Sequence, residues 1–169
     1  MAPRLGIAPS KIRALLVTHP HMDHFTPELL WTRGMAPELA ELSEEEQRKR
    51  VSPCFTKLPV LEVFGNAHVR KAMFAAPNVM ENEANNRVAF HLIEDGASYT
   101  VNGMTFTPIR ARHGGVRGFC HNYILERDGK TLLYASDTGG YDPDMMEIVL
   151  GRKYDCVIME GTFGPGASE

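Results

Sequence analysis

Short apolar runs separated by polar segments dominate the first half of the chain. The runs at 12–18 and 61–65 are nearly continuous in apolar residues and predict strands buried on both faces. A helix is predicted at 25–31. A second helix should begin after Asn66, which can cap it, and end before Pro77. The polar residues 78–86 are predicted to form a loop.

The second half reads as a run of strands followed by one helix. Hairpin turns are predicted at Asn102-Gly103 and at Asp128-Gly129, each between apolar runs. Asp142-Pro143 predicts the start of a helix that ends at Gly151. The apolar run 154–159 predicts a last buried strand.

Residues 32–58 differ in character from the rest. Acidic residues precede basic ones by four positions there, which is typical of a solvated helix face. We interpret this segment as a surface helical insertion in a single domain over 1–169. Helices flanking a mixed sheet predict an α/β (α+β layered) architecture.

Composition excludes several protein classes. Hydrophobic residues make up 43% of the 169 residues and charged residues 23%, as in ordinary globular proteins. No apolar run is long enough to cross a membrane, and no signal peptide is evident, so we expect a cytoplasmic protein without membrane partners. The net charge of -3 argues against general attraction to nucleic acid. Cys120 and Cys156 lie in apolar runs and are expected to be buried.

The segment 18–24, here called the His-rich loop, concentrates metal-binding side chains after the first predicted strand. It reads Thr-His-Pro-His-Met-Asp-His and carries three of the seven histidines. Imidazole and carboxylate are ligands for zinc and related divalent metals. His19 and His21 can point the same way, and Asp23 and His24 follow past the bend. A polar surface loop is the alternative, and the clustering of histidines argues against it.

This His-x-His-x-Asp-His pattern resembles the metal-binding motif of the metallo-β-lactamase superfamily. Arg112-His113-Gly114 and Ala135-Ser-Asp-Thr-Gly139 resemble, in the expected order, the segments that carry the family's next metal histidine and its bridging aspartate. The segment around Glu160 is similar to one in the ribonuclease Z branch. The resemblance covers about 5–163 and implies an αββα sandwich that is incomplete.

The resemblance also implies a two-metal site and the roles of its residues. The implied ligands are His19, His21 and His113 for the first ion, and Asp23, His24 and Asp137 for the second. Asp137 would bridge the ions, and Asp23 would orient the attacking water or accept its proton. Glu160 would support a late histidine, and an ordinary strand-end carboxylate is an equal alternative. We expect one or two zinc ions, with manganese or iron as alternatives.

Several residues near His113 are candidates for substrate binding. Arg112 and Arg117, together with Arg110, can meet a phosphate. A solvated strand end is an equal alternative for these arginines. His121 is a candidate contact in the cleft, although structural packing is the favoured interpretation.

The resemblance favours a metal-dependent hydrolase of the phosphodiesterase type, in the branch of ribonuclease Z and the cyclic-phosphate phosphodiesterase. The acidic charge balance favours a small phosphodiester over RNA. One alternative is a thioesterase or lactonase of the same superfamily. Another is a catalytically poor metal-binding fragment that acts in a larger assembly.

The sequence departs from the family pattern at both ends. Only 18 residues precede His19, and no histidine follows His121. The domain is therefore expected to be truncated at both ends. Uncovered sheet edges would then favour a homo-oligomer.

Overall fold

A computed structural model describes residues 12–28, 30, 45, 59–76, 79–84 and 88–161, with the backbone alone at 81, 82 and 84. The chain divides into two compact units, Met1–Leu92 and Ile93–Glu169. The predicted insertion at 32–58 lies outside the described residues, apart from residue 45. The single-domain organisation stays a prediction.

The first unit contains a parallel three-stranded sheet and two helices. The strand order is β1-β2-β3, and both strand pairs run parallel. The elements are β1 (Ala14–Leu16), β2 (Leu61–Gly65), α1 (Ala67–Ala75), α2 (Val79–Ala84) and β3 (Val88–Leu92). Parallel pairing needs crossover connections, and the helices between β2 and β3 supply one of them.

Local sequence explains how α1 begins. The Asn66 side chain accepts hydrogen bonds from the backbone N–H groups of His68 and Val69, as predicted for a helix cap. Gly65 lets α1 approach β2 closely, because a Cβ there would lie 2.6 Å from a Val69 methyl carbon. Val63 and Met73 are completely buried in the core that results.

The second unit contains a five-stranded sheet and one helix. The order is β4-β5-β6-β7-β8, antiparallel except for the parallel pair β7-β8. The elements are β4 (Tyr99–Val101), β5 (Met104–Ala111), β6 (Cys120–Arg127), β7 (Lys130–Ala135), α3 (Pro143–Leu150) and β8 (Cys156–Met159). Helix α3 packs Met145 and Val149 against buried β-strand residues such as Ile124.

Both predicted hairpin turns are present. Asn102 and Gly103 have φ of 51° and 73°, and Asp128 and Gly129 have φ of 50° and 72°. Two successive residues in the left-handed region characterise the turn that matches the twist of paired strands. The register of β4-β5 and β6-β7 is therefore set by these dipeptides.

The structure corrects several predicted elements. Residues 79–84 form α2, where a loop was predicted, because Val79 is completely buried in the core of the first unit. The predicted helix at 25–31 is only a 3₁₀ turn over the residues described there. Strand β1 is shorter than predicted and half-buried.

The last strand also differs from its prediction. All four residues of β8 are exposed, including Cys156, which was expected to be buried. Strand β8 pairs only with β7 among the described residues, so its apolar residues are not enclosed. Helices in the described part of the chain are all too short and polar to cross a membrane.

Candidate metal centre and arginine cavity

The His-rich loop brings three imidazole rings together at the end of β1. The backbone N–H groups of His24 and Phe25 both donate to the His21 carbonyl, which closes a tight turn. As a result, the His19 ring lies 4.6 Å from the His21 ring and 4.3 Å from the His24 ring, measured between centroids. His19 is completely buried, whereas His21 is exposed.

A hydroxyl group orients the buried ring. Thr18 Oγ1 lies 3.1 Å from His19 Nδ1, and His19 Nε2 lies 2.9 Å from His21 Nδ1. A hydrogen bond at one imidazole nitrogen fixes the orientation of the ring and directs the other nitrogen toward a ligand. Thr18 therefore acts on His19 as an orienting partner would in a metal site.

Asp23 lies at the exposed side of this loop. Its side chain is 79% exposed, and its Oδ2 is 3.4 Å from His24 Nε2. The first unit thus groups all four predicted ligands of the His-rich loop within one turn, with His19 inside and Asp23 facing solvent.

In the second unit, the ends of β5 and β7 bring His113 and Asp137 together. His113 Nε2 lies 3.9 Å from Asp137 Oδ2. Two backbone hydrogen bonds tie the flanking segments, from Arg112 N–H to the Gly140 carbonyl and from Gly139 N–H to the Arg112 carbonyl. Main-chain hydrogen bonds therefore hold side by side the two segments that carry these candidate ligands.

Asp137 adopts a backbone conformation that is uncommon for its residue type. Its φ is 50°, and such conformations persist where the surroundings determine them. Asn122 supplies part of those surroundings. This buried side chain donates to the Ser136 carbonyl at 2.7 Å and accepts from the Tyr141 hydroxyl at 2.8 Å. The loop that carries Asp137 is thus held from both sides.

Cys120 lies beneath this loop. Its Sγ is 3.6 Å from the Asp137 carbonyl oxygen. Burial, reinforced by the nearby carboxylates of Asp137 and Glu160, raises the pKa of the Cys120 thiol to about 12. Cys120 is therefore a neutral, buried thiol rather than a reactive nucleophile.

Gly114 is required next to His113. Its φ is 70°, and a Cβ there would lie 2.6 Å from the Phe119 ring. Glycine alone combines this left-handed conformation with so close a contact. The Phe119 ring in turn lies 6.4 Å from the His113 ring, so the two residues together position the imidazole.

The candidate ligands of each unit fit a divalent metal ion. Two ligand atoms on one tetrahedral zinc lie roughly 3.2–3.6 Å apart, because each bond is about 2.0–2.2 Å long. The His19–His21 nitrogen distance of 2.9 Å and the His113–Asp137 distance of 3.9 Å lie on either side of this range. Small side-chain rotations therefore suffice for metal binding, and the imidazole and carboxylate donors suit zinc, manganese or iron.

His113 also lines a cavity of 710 Å³ in the second unit, here called the arginine cavity. The charged residues that line it are Arg110, Arg112, Arg117 and Asp142. Three guanidinium groups and one carboxylate give this cavity a positive character, although the whole chain is acidic. Anions should therefore be attracted to it.

Arg110 anchors one wall of the cavity. Its side chain is 8% exposed and pairs with Asp95, with Asp144 at 2.8 Å and with Asp142 at 3.3 Å. Burial alone opposes the charged form, but the hydrogen bonds that Arg110 donates to Asp144 and Asp95 outweigh it and raise the pKa of Arg110. Arg110 is consequently a fixed cation that joins β5 to the start of α3.

His121 and Glu160 occupy different surroundings. His121 is buried, with Nε2 at 2.7 Å from Asp95 Oδ1, so it belongs to the network around Arg110. Glu160 is exposed, and its backbone N–H donates to the Ala135 carbonyl at 3.2 Å. A substrate contact for His121 and a supporting role for Glu160 both stay predictions.

Sequence reasoning missed three residues that shape this region. Asp95 follows β3 in a turn, and Asp142 precedes a proline, so each reads as an ordinary turn or cap residue. Asn122 lies inside a strand without any motif. Only long-range contacts with Arg110 and with the Asp137 loop reveal what these residues do.

Sheets with flanking helices, and histidines grouped with aspartates at strand ends, define an α/β protein with candidate metal ligands. A sequence profile of the beta-lactamase superfamily domain matches residues 2–165, and the chain belongs to this superfamily. The predicted resemblance and the predicted α/β fold class are thereby confirmed. No curated protein matches the chain.

Solved structures share this fold at low identity. A diphosphatase from the PhnP family is 20% identical, with a TM-score of 0.57, over 92% of this chain and 49% of that one. Zinc-bound PqqB from Methylobacterium extorquens is 16% identical, with a TM-score of 0.56, over 89% and 42%. A possible metal-dependent hydrolase from Veillonella parvula is 18% identical, with a TM-score of 0.52, over 89% and 49%. The chain spans about half the length of these structures or less.

Proposed function

We propose that this chain is a metal-dependent hydrolase of the phosphodiesterase type. The proposed metal ligands are those implied by the family resemblance, namely His19, His21, Asp23, His24, His113 and Asp137. Support comes from membership in the superfamily. It also comes from the descriptions of structures that share the fold, which include a diphosphatase, a zinc-bound protein and a possible metal-dependent hydrolase.

The observation that carries the phosphodiesterase assignment is the position of His113 in the wall of the arginine cavity. The reacting group of a thioester or lactone is uncharged, whereas a phosphodiester carries a negative charge at the reacting group itself, where a guanidinium can contact it. Arginine can donate two parallel hydrogen bonds to one phosphate group, which is called bidentate binding. A candidate metal ligand, His113, beside arginines therefore favours phosphodiester hydrolysis over the thioesterase or lactonase alternative.

Arg112 and Arg117 are the residues that we assign to phosphate binding. Their side chains are 62% and 74% exposed, and each contacts Asp142 through Nε, at 2.9 and 3.7 Å. The η nitrogens of both side chains are not used in these pairs. They can donate to the non-bridging oxygens of a phosphodiester and orient it toward His113.

The remaining residues would position the attacking water and the metal ligands. A bound divalent metal ion would supply a water molecule of lowered pKa as nucleophile. Asp23 would orient this water or accept its proton. Thr18 would hold the His19 ring in place, and the Asn122–Tyr141 pair would maintain the Asp137 loop.

Metal content and hydrolysis measured together test the proposal. Protein purified without a His-tag should bind one or two equivalents of zinc by elemental analysis and hydrolyse bis(4-nitrophenyl) phosphate. His21→Ala and Asp137→Ala should each lower bound metal and activity together. His68→Ala is the matched control, since His68 lies in the first turn of α1 and belongs to no proposed ligand set.

Two results would contradict the proposal in different ways. Unchanged metal content in His21→Ala and Asp137→Ala would refute the ligand assignment. Cleavage of thioesters alone, with full metal content, would retain the metal site and replace the phosphodiesterase with a thioesterase.

A further inference from the structure

Asp142 lines the arginine cavity and contacts all three of its arginines. Its Oδ1 accepts from Arg112 Nε at 2.9 Å, and its Oδ2 lies 3.3 Å from Arg110 Nε and 3.7 Å from Arg117 Nε. This carboxylate thus occupies guanidinium donors that an anionic ligand would otherwise use.

The orientation of Asp142 is unusual for its place in the chain. It holds the N-cap position of α3, where an aspartate side chain ordinarily accepts from its own helix, but it makes no such hydrogen bond. The carboxylate points to the arginines instead. The Arg112 hydrogen bond, followed by the charges of Arg112 and Arg110, lowers the pKa of Asp142, so the group is ionised at neutral pH.

We propose that Asp142 sets the charge selectivity of the arginine cavity. Arg110 is already paired with Asp95 and Asp144, so Arg112 and Arg117 are the cations left for a ligand. The fixed negative charge of Asp142 offsets one of these two, so the cavity accepts a singly charged phosphodiester and disfavours a doubly charged phosphate monoester. This inference deepens the proposed function by naming the charge of the substrate. The claim that the bound monoanion is a substrate rests on the proposed function, whereas the predicted preference in binding does not.

The expected effect follows from Coulomb's law. Two unit charges about 6 Å apart, in surroundings of effective dielectric constant about 40, repel each other enough to weaken binding roughly tenfold. A dianion feels this repulsion twice. Removing the Asp142 charge should therefore strengthen binding of a monoanion roughly tenfold and of a dianion roughly a hundredfold, which shifts the preference about tenfold toward the dianion.

A pair of ligands that differ by one charge tests this prediction. Phenyl phosphate carries nearly two negative charges at pH 8, because its second pKa is about 6. Methyl phenyl phosphate keeps the same ring and carries one. Dissociation constants for both ligands are measured by isothermal titration calorimetry on zinc-loaded wild type and Asp142→Asn, with equal metal content verified by elemental analysis.

Asp144→Asn is the matched control. Asp144 lies in the first turn of α3 and also pairs with Arg110, but it does not line the arginine cavity. Asparagine keeps a favourable N-cap residue in Asp142→Asn. Asp142→Ser, which places another good N-cap residue there, is measured in parallel so that poor folding of one variant does not remove the test.

The expected result is a roughly tenfold shift toward phenyl phosphate in the Asp142 variants and a much smaller shift in Asp144→Asn. An unchanged preference in the Asp142 variants, or an equal shift in Asp144→Asn, would overturn the inference. A shift in binding without hydrolysis of any phosphodiester would refute the proposed function and leave the inference intact. Hydrolysis of a phosphodiester without a shift in binding preference would refute the inference and leave the proposed function intact.

Discussion

Replacing Arg110 with methionine tests whether a buried guanidinium holds the second unit together. Arg110 joins β5 to three carboxylates, those of Asp95, Asp142 and Asp144. Methionine keeps much of the side-chain length and removes the charge. The three carboxylates then remain close together without the cation that they share.

The magnitude follows from the burial of the partners. Removing one partner of a buried ion pair costs about 3–5 kcal/mol, because the remaining charge is left uncompensated. The Arg110 side chain is 8% exposed, but Asp95, Asp142 and Asp144 are 34%, 25% and 54% exposed. Water partly solvates the orphaned carboxylates, so we expect the low end, about 3 kcal/mol.

Urea denaturation followed by near-UV circular dichroism of tyrosine is the appropriate assay. All five tyrosines lie in the second unit, and a Trp31→Phe background removes the overlapping tryptophan signal of the first unit, so the remaining signal reports on the second unit. With a slope of about 2 kcal/mol per molar urea, the midpoint should fall by roughly 1.5 M. Arg112→Met is the control. The Arg112 side chain is 62% exposed, so its ion pair with Asp142 should contribute less than about 1 kcal/mol to the free energy of unfolding.

The difference between wild type and Arg110→Met should also depend on pH. The hydrogen bond from Arg110 lowers the pKa of Asp144 in the folded protein. A carboxyl group whose folded pKa is lowered stabilises the protein above its unfolded pKa of about 3.9 and loses that contribution as the pH falls through the folded pKa. The difference should therefore be full at pH 7 and shrink below about pH 4. A midpoint shift under roughly 0.3 M at pH 7 would refute the reasoning.

Two further predictions concern the surroundings of the Asp137 loop. Gly114→Ala should destabilise the second unit by more than about 1 kcal/mol in the same assay, because the new methyl group meets the Phe119 ring in a left-handed backbone conformation. Wild-type stability in this variant would show that the loop relaxes freely. In a Cys54→Ser background, Cys156 should react with a thiol reagent in the native protein, whereas completely buried Cys120 should react only after urea is added. Equal native rates for the two thiols would contradict the burial described here.

Local signals predicted the elements whose geometry is decided within a few residues. Asn66 caps α1 with its own side chain, and the dipeptides Asn102-Gly103 and Asp128-Gly129 form the expected turns. Left-handed turns and helix caps depend on the intrinsic preferences of one or two residues, so their signal is present in the sequence.

Predictions that required knowledge of distant packing were less successful. Val79 is buried in the core of the first unit, which favours a helix over the loop that polar neighbours indicated. Strand β8 has an apolar sequence but is exposed, because burial depends on what lies against a strand rather than on its own composition. The separation into two sheets likewise depends on long-range pairing.

The sequence by itself determined which side chains are available to the candidate site. Histidine and aspartate in 18–24, and again at 113 and 137, indicated the family, which is confirmed, and predicted the ligand types, because a short motif carries its candidate ligands in one stretch of chain. Tertiary structure alone decided the electrostatics. Arg110, Asp95 and Asp142 are far apart in sequence, and only the pairing of β5 with α3 and the turn after β3 joins them in one network. Such pairing follows from the burial of both sheet and helix, which no local pattern encodes.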